Sequence, residues 1–480
     1  MKKRLLPLLC ASALALALTA CGAQQTTQTD IADAVVLTFT DSGITAQDGT
    51  AGYEIDGTAL TITESGIYAV SGSCADGTIQ IKKGTTGVTL ILNGLDLSSG
   101  DSAAITCGKS GEVTILAADG TQNALSDTEQ NNDDNYPDNS DAENAVIKCK
   151  DGSAVTLGGT GALTVTANGK NGIKSGAATE EDGEASLTIR DLTLHINAPV
   201  NDAINAEQLL NVESGTLTID AADDAIHCDM ILNIGADGTD GPTIDITSCY
   251  EGLEGAELNV LSGNITINAS DDCINAANSD LTGYAFTLTI SGGTIDAYSS
   301  GGDGFDSNGE LIITGGTVVV WTANTADNEP LDADGTITVT GGTVLAAGGS
   351  SGSAVYSGTA RCNACFVLFS SADVTADGTY TLKAGNSSAE GIAQSGTVST
   401  GMGMGGGFRG GQKPDGEPPE GFDGQQPSGE KPELPDGERP DLADGERPQP
   451  PDGQGKSKDG RAPADDNASD TNDPDTTPTA

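Results

Sequence analysis

Six acids, Asp202, Asp224, Glu251, Asp272, Asp303 and Glu329, open short phrases of one pattern: DAIN, DAIH, EGLE, DCIN, DGFD and EPLD. Each acid precedes a small residue or proline and then an apolar residue. Asp223 and Asp271 stand just before two of these phrases, while Glu254, Asp306 and Asp332 close three of them and Asp229 follows DAIH. Carboxylates in such numbers suit two kinds of chemistry. They can share a hard cation through oxygen ligands, or act as the paired acids of glycoside hydrolysis. Basic side chains are not at hand to neutralise them. Between Arg190 and Arg361 there is no Lys or Arg, whereas 25 Asp and Glu occur. If equivalent acids stack at the spacing of neighbouring strands, about 4.8 Å, each bare pair repels by roughly 3–4 kcal/mol at an effective dielectric near 20. The expected neutraliser is Ca²⁺, as several ions. The alternative is a set of acids that splay into solvent or take up protons.

The elements that would position these acids are short strands. The apolar members Ile173, Ile204, Ile226, Leu253, Ile274, Phe305, Leu331 and Val355 are 21 to 31 residues apart. Between them recur glycine-led phrases that alternate β-branched and polar residues: SGTLTIDA at Ser214, SGNITINA at Ser262, SGGTIDAY at Ser291, TGGTVVVW at Thr314 and TGGTVLAA at Thr340. A repeat of this length, made of strands and glycine turns with no helical segment, indicates a solenoid. The leucine spacing of leucine-rich repeats is absent. The expected architecture is all-β, a parallel β-helix over residues 34–395.

The ends read differently. Residues 1–20 have a basic start (Lys2, Lys3, Arg4), an apolar run and small residues before Cys21, which is the pattern of a signal peptide. The ending Leu18-Thr19-Ala20-Cys21 resembles a bacterial lipobox. It implies lipidation at Cys21, a tether over 21–33, and an extracellular protein anchored to the membrane by its N-terminal lipid alone. Residues 396–480 are Gly, Pro and acid with little to bury, and are expected to be a disordered tail. A net charge of −49 and a pI of about 4.1 exclude nucleic acid as a partner, since its phosphates require clustered Lys and Arg. A monomer is expected. Besides Cys10 and Cys21, eight cysteines remain: Cys74, Cys107, Cys149, Cys228, Cys249, Cys273, Cys362 and Cys365. An even count outside the cell permits disulfides, but most lie in apolar segments and the majority read as buried thiols. Cys362 and Cys365 form a lone CxxC.

The segment LTITESGIYAVSGSCADGTIQIKKGTTGVTLILNGLDLSSGDSAAITC (60–107), NAVIKCKDGSAVTLGGTGALTVTANGKNGIKSG further on, and the later SGG-led phrases resemble a clostridial family of carbohydrate-binding surface proteins. The resemblance spans nearly all of residues 34–350. It implies a pectate-lyase-like, right-handed parallel β-helix that holds calcium and binds cellulose and acidic polysaccharides such as polygalacturonate without catalysis. The family's acidic insertion corresponds here to NNDDNYPDNSDAENAVI, which makes Asp133, Asp134, Asp138, Asp141 and Glu143 further calcium candidates.

Three other readings stay open. A calcium-dependent lyase would need a basic residue; the acidic coils hold none, and Lys148, Lys150, Lys170 and Lys174, which precede them, remain possible, although Lys170 and Lys174 read as solvated loop residues. A polygalacturonase-like hydrolase would use acid pairs such as Asp271 and Asp272, yet the pair recurs at Asp223 and Asp224 as a structural device would. A structural adhesin is the third. His195 and His227 read as strand or turn residues. For a neutral glucan, Tyr250, Tyr298, Phe305 and Trp321 are candidate stacking platforms.

Overall fold

The computed structural model describes residues 31–47, 50–279, 281, 283–323, 328–348, 357–358, 366–370 and 398–399. Cys21 and the leader, nearly all of the 21–33 tether, Cys362 and Cys365, the Val355 phrase and the tail lie outside the described residues, apart from a few short stretches. The described chain is all strand and turn, with no helix. Nearly every pairing is parallel, and each strand pairs with one two or three elements further along the chain.

Three ladders result. In the first, Ile105, Ile147, Ile173, Ile204, Ile226, Leu253, Ile274, Phe305 and Leu331 are successive register partners. All are buried. From Ile204 onward these are the apolar residues of the acid-led phrases, so every such phrase returns to the same face. A parallel strand cannot follow its neighbour by a tight turn, because the chain must first cross back. The 21–31-residue spacing is the length of that return.

The glycine-led phrases form another ladder, including Thr216–Ala221, Asn264–Ala269, Thr294–Ser299, Thr317–Thr322 and Thr343–Gly348. Their alternation is literal: Ile265, Ile295, Val318 and Val344 point inward, while Thr266 and Asp296 point out. The third ladder carries no glycine signal. It stacks Leu187, Leu210, Leu232, Leu258, Leu288, Leu311 and Ile337. On its outer side an amide row forms, where Asn233 donates to Asn211 at 2.9 Å and Asn259 donates to Asn233 at 3.0 Å.

One continuous core runs through the stack. The six described cysteines, Cys74, Cys107, Cys149, Cys228, Cys249 and Cys273, are free and buried within it. At the N-terminal end the parallel rule breaks. Val35–Thr40 pairs antiparallel with Gly43–Ala46, and Tyr53–Asp56 with Ala59–Ile62. These hairpins close the first coil, and Phe39 and Tyr68 are buried beneath them. A solenoid needs such a cap because its first repeat has no neighbour to cover it.

Phe305 is a correction. It is 0% exposed and takes the core position filled by Ile or Leu on other coils, so it cannot stack on a polymer. Phe305→Ala is therefore expected to cost about 3–5 kcal/mol of stability, measured by chemical denaturation, and to leave binding by the folded fraction unchanged.

Candidate functional site

The residue after each first-ladder apolar residue points outward, and register aligns these residues in one row. The row reads Thr106, Lys148, Lys174, Asn205, His227, Glu254, Asn275 and Asp306. Asp332, which follows Leu331, joins it at the far end. The phrase-leading acids form a second row beside it, two residues before the ladder apolars.

The leading acids are held into the stack by the backbone. Asp202 Oδ1 accepts the amide of Asp224 at 3.2 Å, Asp272 Oδ1 that of Asp303 at 2.6 Å, and Asp303 Oδ1 that of Glu329 at 2.5 Å. An acid on one coil thus receives the N–H of the equivalent acid on the next. Gly302 makes room for this packing, because a Cβ there would collide with the carboxylates of Asp271 and Asp272 and with the Asp271 backbone. The cost is burial of charge. Asp202 is only 5% exposed and Asp224 8%.

Three groups converge to within 4.8 Å among the described residues: Asp202 with Asp223 and Asp224, Asp224 with His227 and Glu254, and Asp303 with Asp306 and Asp332. Glu251, Asp271, Asp272, Glu329 and Asp229 belong to none of these groups, although all lie on the same edge. Asp229 Oδ1 is 2.8 Å from His227 Nε2, Glu251 accepts from Asn275 Nδ2 at 3.0 Å, and Asp271 bonds the hydroxyl of Tyr250.

Burial pushes the carboxyls up. Asp202 and Asp224 rise to about 6, each by burial first; the neighbouring Asp224 charge adds to the shift of Asp202, and Glu254 to that of Asp224. Burial followed by neighbouring acids takes Asp306 to about 6, Glu329 to about 7 and Asp272 to about 8. Asp303 reaches about 8 and Glu251 about 10 for the same reasons.

His227 was read from sequence as a strand or turn residue, and it does lie on a strand. Its role is larger than that. Nδ1 is 3.1 Å from Asp224 Oδ2 and 2.5 Å from Glu254 Oε2. Burial disfavours its charged form, but the bonds to Asp224, Asp229 and Glu254 outweigh this and push its pKa far upward. His227 is the one internal cation inserted into the acidic rows among the described residues. The missed signal was positional: it occupies the outward place that the DAIN, EGLE and DCIN phrases give to Asn205, Glu254 and Asn275.

Asn275 is the other residue that sequence reasoning passed over. Its Nδ2 is used on Glu251, while Oδ1 is buried with no hydrogen-bond partner. A buried acceptor without a donor costs about 1–3 kcal/mol, and here it lies among carboxylates.

The acidic insertion does not converge on a metal-ligating group among the described residues. It is ordered by asparagines instead. Asn131 Oδ1 accepts the amides of Glu143 and Asn144 at 2.7 and 3.1 Å, and Asn131 Nδ2 donates to Asp127 and Ala145. Glu143 pairs with Lys150 at 2.5 Å, and Asp134 pairs with Lys170. Asp133, Asp138 and Asp141 are exposed.

Of the aromatic candidates, Tyr250 is 42% exposed beside Asp271. Tyr298 and Trp321 are register partners on the outer side of the glycine-led ladder. Lys174 corrects another expectation. It sits on the strand Asn171–Ser175 in register with Lys148, not in a loop.

Residues 56–237 and 238–361 match a family described as carbohydrate-binding domain-containing protein. No curated protein matches the chain. Among solved structures, the polysaccharide lyase-like protein from C. thermocellum (a gadolinium derivative) is similar at 20% identity, covering 70% of this chain and 99% of that one, with a TM-score of 0.33. A likeness that loose carries no argument about function.

The pH dependence has a definite sign. The unfolded carboxyls titrate near 4, and the folded ones at about 6 to 10. The folded state therefore holds protons that the unfolded state releases. This stabilisation is present in full below about pH 4 and is lost as pH rises through 6 and beyond. His227, also raised, works in the same direction above its unfolded value near 6.5. Chelated protein should melt at a lower temperature at pH 8 than at pH 5 in scanning calorimetry, by roughly 2–4 °C for each kcal/mol lost.

Proposed function

The chain belongs to the family of carbohydrate-binding domain-containing proteins, and from that premise we propose that it binds polysaccharide through a calcium-loaded, right-handed parallel β-helix without catalysing its cleavage. The parallel ladders support the β-helix, and the right hand follows from the strong preference of parallel crossovers for it. The basic leader and the Leu18-to-Cys21 ending support a lipid anchor at the cell surface. A monomer goes with this reading.

The observation that carries the calcium reading is the excess of buried acceptors over donors along one edge. Calcium takes 6–8 oxygen ligands at about 2.3–2.6 Å. Asp202, Asp223 and Asp224 offer an all-oxygen group, and so do Asp303, Asp306 and Asp332. Glu251 and the orphan Asn275 Oδ1 lie between them along the stack. The group containing His227 fits a hard cation less well, since a ring nitrogen and its proton already bridge those carboxylates. A calcium ion held by these groups would supply positive charge where His227 is the one cation of the acidic rows among the described residues, and a uronate carboxylate would complete its oxygen shell. The protein residues do the rest: they fix the carboxylates at the strand spacing and keep their burial from water.

Binding is favoured over elimination or hydrolysis by the repetition of the acidic groups. A catalytic centre needs one tuned pair of groups, whereas here the same arrangement recurs from coil to coil. Tyr250, beside the acids, and the Tyr298–Trp321 pair on the neighbouring face are the surfaces on which a sugar ring could stack.

Calcium added to the chelated full chain is expected to raise its melting temperature well beyond the effect of equal magnesium. It should also be required for retention on insoluble polygalacturonate. No calcium-selective shift would overturn the metal reading. Release of unsaturated sugar, followed by its ultraviolet absorbance, would replace binding with lyase activity.

A further inference from the structure

Lys148 and Lys174 are register partners on adjacent strands, Ala145–Cys149 and Asn171–Ser175, in the outward row that leads into the acids. Their Cα atoms are therefore separated by about 4.8 Å, the spacing of hydrogen-bonded strands. Two ammonium groups so placed repel one another, and an ordinary structural lysine in a chain with 70 acids would find a carboxylate. Lys174 does so loosely, its Nζ lying 3.8 Å from Glu207 Oε1. Lys148 is half-buried and makes no salt bridge or side-chain hydrogen bond among the described residues, since the nearby Glu143 is taken by Lys150 at 2.5 Å. Burial, and then the charge on Lys174, lowers the pKa of Lys148. Glu207 and Glu143 act the other way from nearby, but neither pairs with Lys148, and an ammonium taken from water without a direct partner is costly.

We propose that Lys148 and Lys174 form an anion subsite that takes a uronate carboxylate of an acidic polysaccharide, at the N-terminal end of the same row whose other end carries the acidic groups. This rests on the polysaccharide-binding reading and adds to it a direct contact from two lysines. Asn205 and His227 are the next two members of the row, so Lys174 and His227 are about 10 Å apart along the stack. A polyuronate lying along the axis would meet ammonium groups first and cation-loaded carboxylates next. That arrangement lets a chain of charge −49 hold a polyanion at both ends of one track. A neutral glucan gains nothing from the two lysines.

The test uses the full chain in calcium, with affinity measured for polygalacturonate, for its fully methyl-esterified form and for cellulose. The double variant Lys148→Met/Lys174→Met should lose at least tenfold in affinity for polygalacturonate and change little toward the esterified polymer or cellulose. Lys148→Arg should keep most of the affinity. Melting temperature, with its calcium response, checks that each variant is folded, and Lys174→Gln alone serves if the double variant is not; it should lose at least threefold. Polygalacturonate binding by folded variants within twofold of wild type overturns the subsite and leaves polysaccharide binding standing. Wild-type binding to cellulose alone also overturns it. Failure of the wild type to bind any of the three polymers overturns the broader reading, and the subsite with it.

Discussion

Buried carboxylates stacked at the strand repeat are the constraint on which the rest of this molecule depends. Parallel pairing brings equivalent residues of successive coils together at about 4.8 Å whatever their chemistry. For Ile204, Ile226 and Leu253 this is favourable, because each covers its neighbour. For Asp202, Asp224 and Glu251 the same geometry is punishing, since like charges in a poorly solvated edge repel. The structure resolves part of the conflict internally. Backbone amides bond one oxygen of Asp202, Asp272 and Asp303, and His227 links Asp224, Asp229 and Glu254. What is left must come from protons or from a cation.

The backbone N–H groups that donate to these carboxylates also lock coil to coil, so the acids are structural and, on the proposed reading, would hold a cation as well. Their recurrence along the stack gives an extended track, which suits a polymer better than a small molecule. The polar row beside them changes sign along its length, from Lys148 and Lys174 through Asn205 and His227 to Glu254 and Asp306. A long ligand can read such a gradient, and a monomeric sugar cannot.

Much of the frame was legible in the sequence. The acid-led phrases kept their apolar residue at one place, and the glycine-led phrases alternated with period two, so both ladders could be read off. The third ladder could not. Leu209–Val212 and Thr287–Ile290 are four-residue strands without a glycine marker, too short for periodicity to reveal. The site was legible by residue type and illegible by partner. Sequence placed Asp224 near the edge, but only the register shows that His227 stands opposite Glu254 and that Asn275 leaves an acceptor unfilled. Phe305 was read both as an apolar member of the first ladder and as a stacking candidate, and register keeps the first reading and removes the second.

The most direct test of this balance between protons and cations is the proton count on calcium addition. Chelated protein in weakly buffered solution at pH 7 would be titrated with calcium in a pH-stat. Several of these carboxyls, Glu251, Asp272 and Asp303 among them, are still protonated there, at about 10, 8 and 8. Saturation should therefore release protons in step with calcium bound, and fewer as the starting pH is raised. Calcium uptake without proton release, or no uptake at all, would contradict the account.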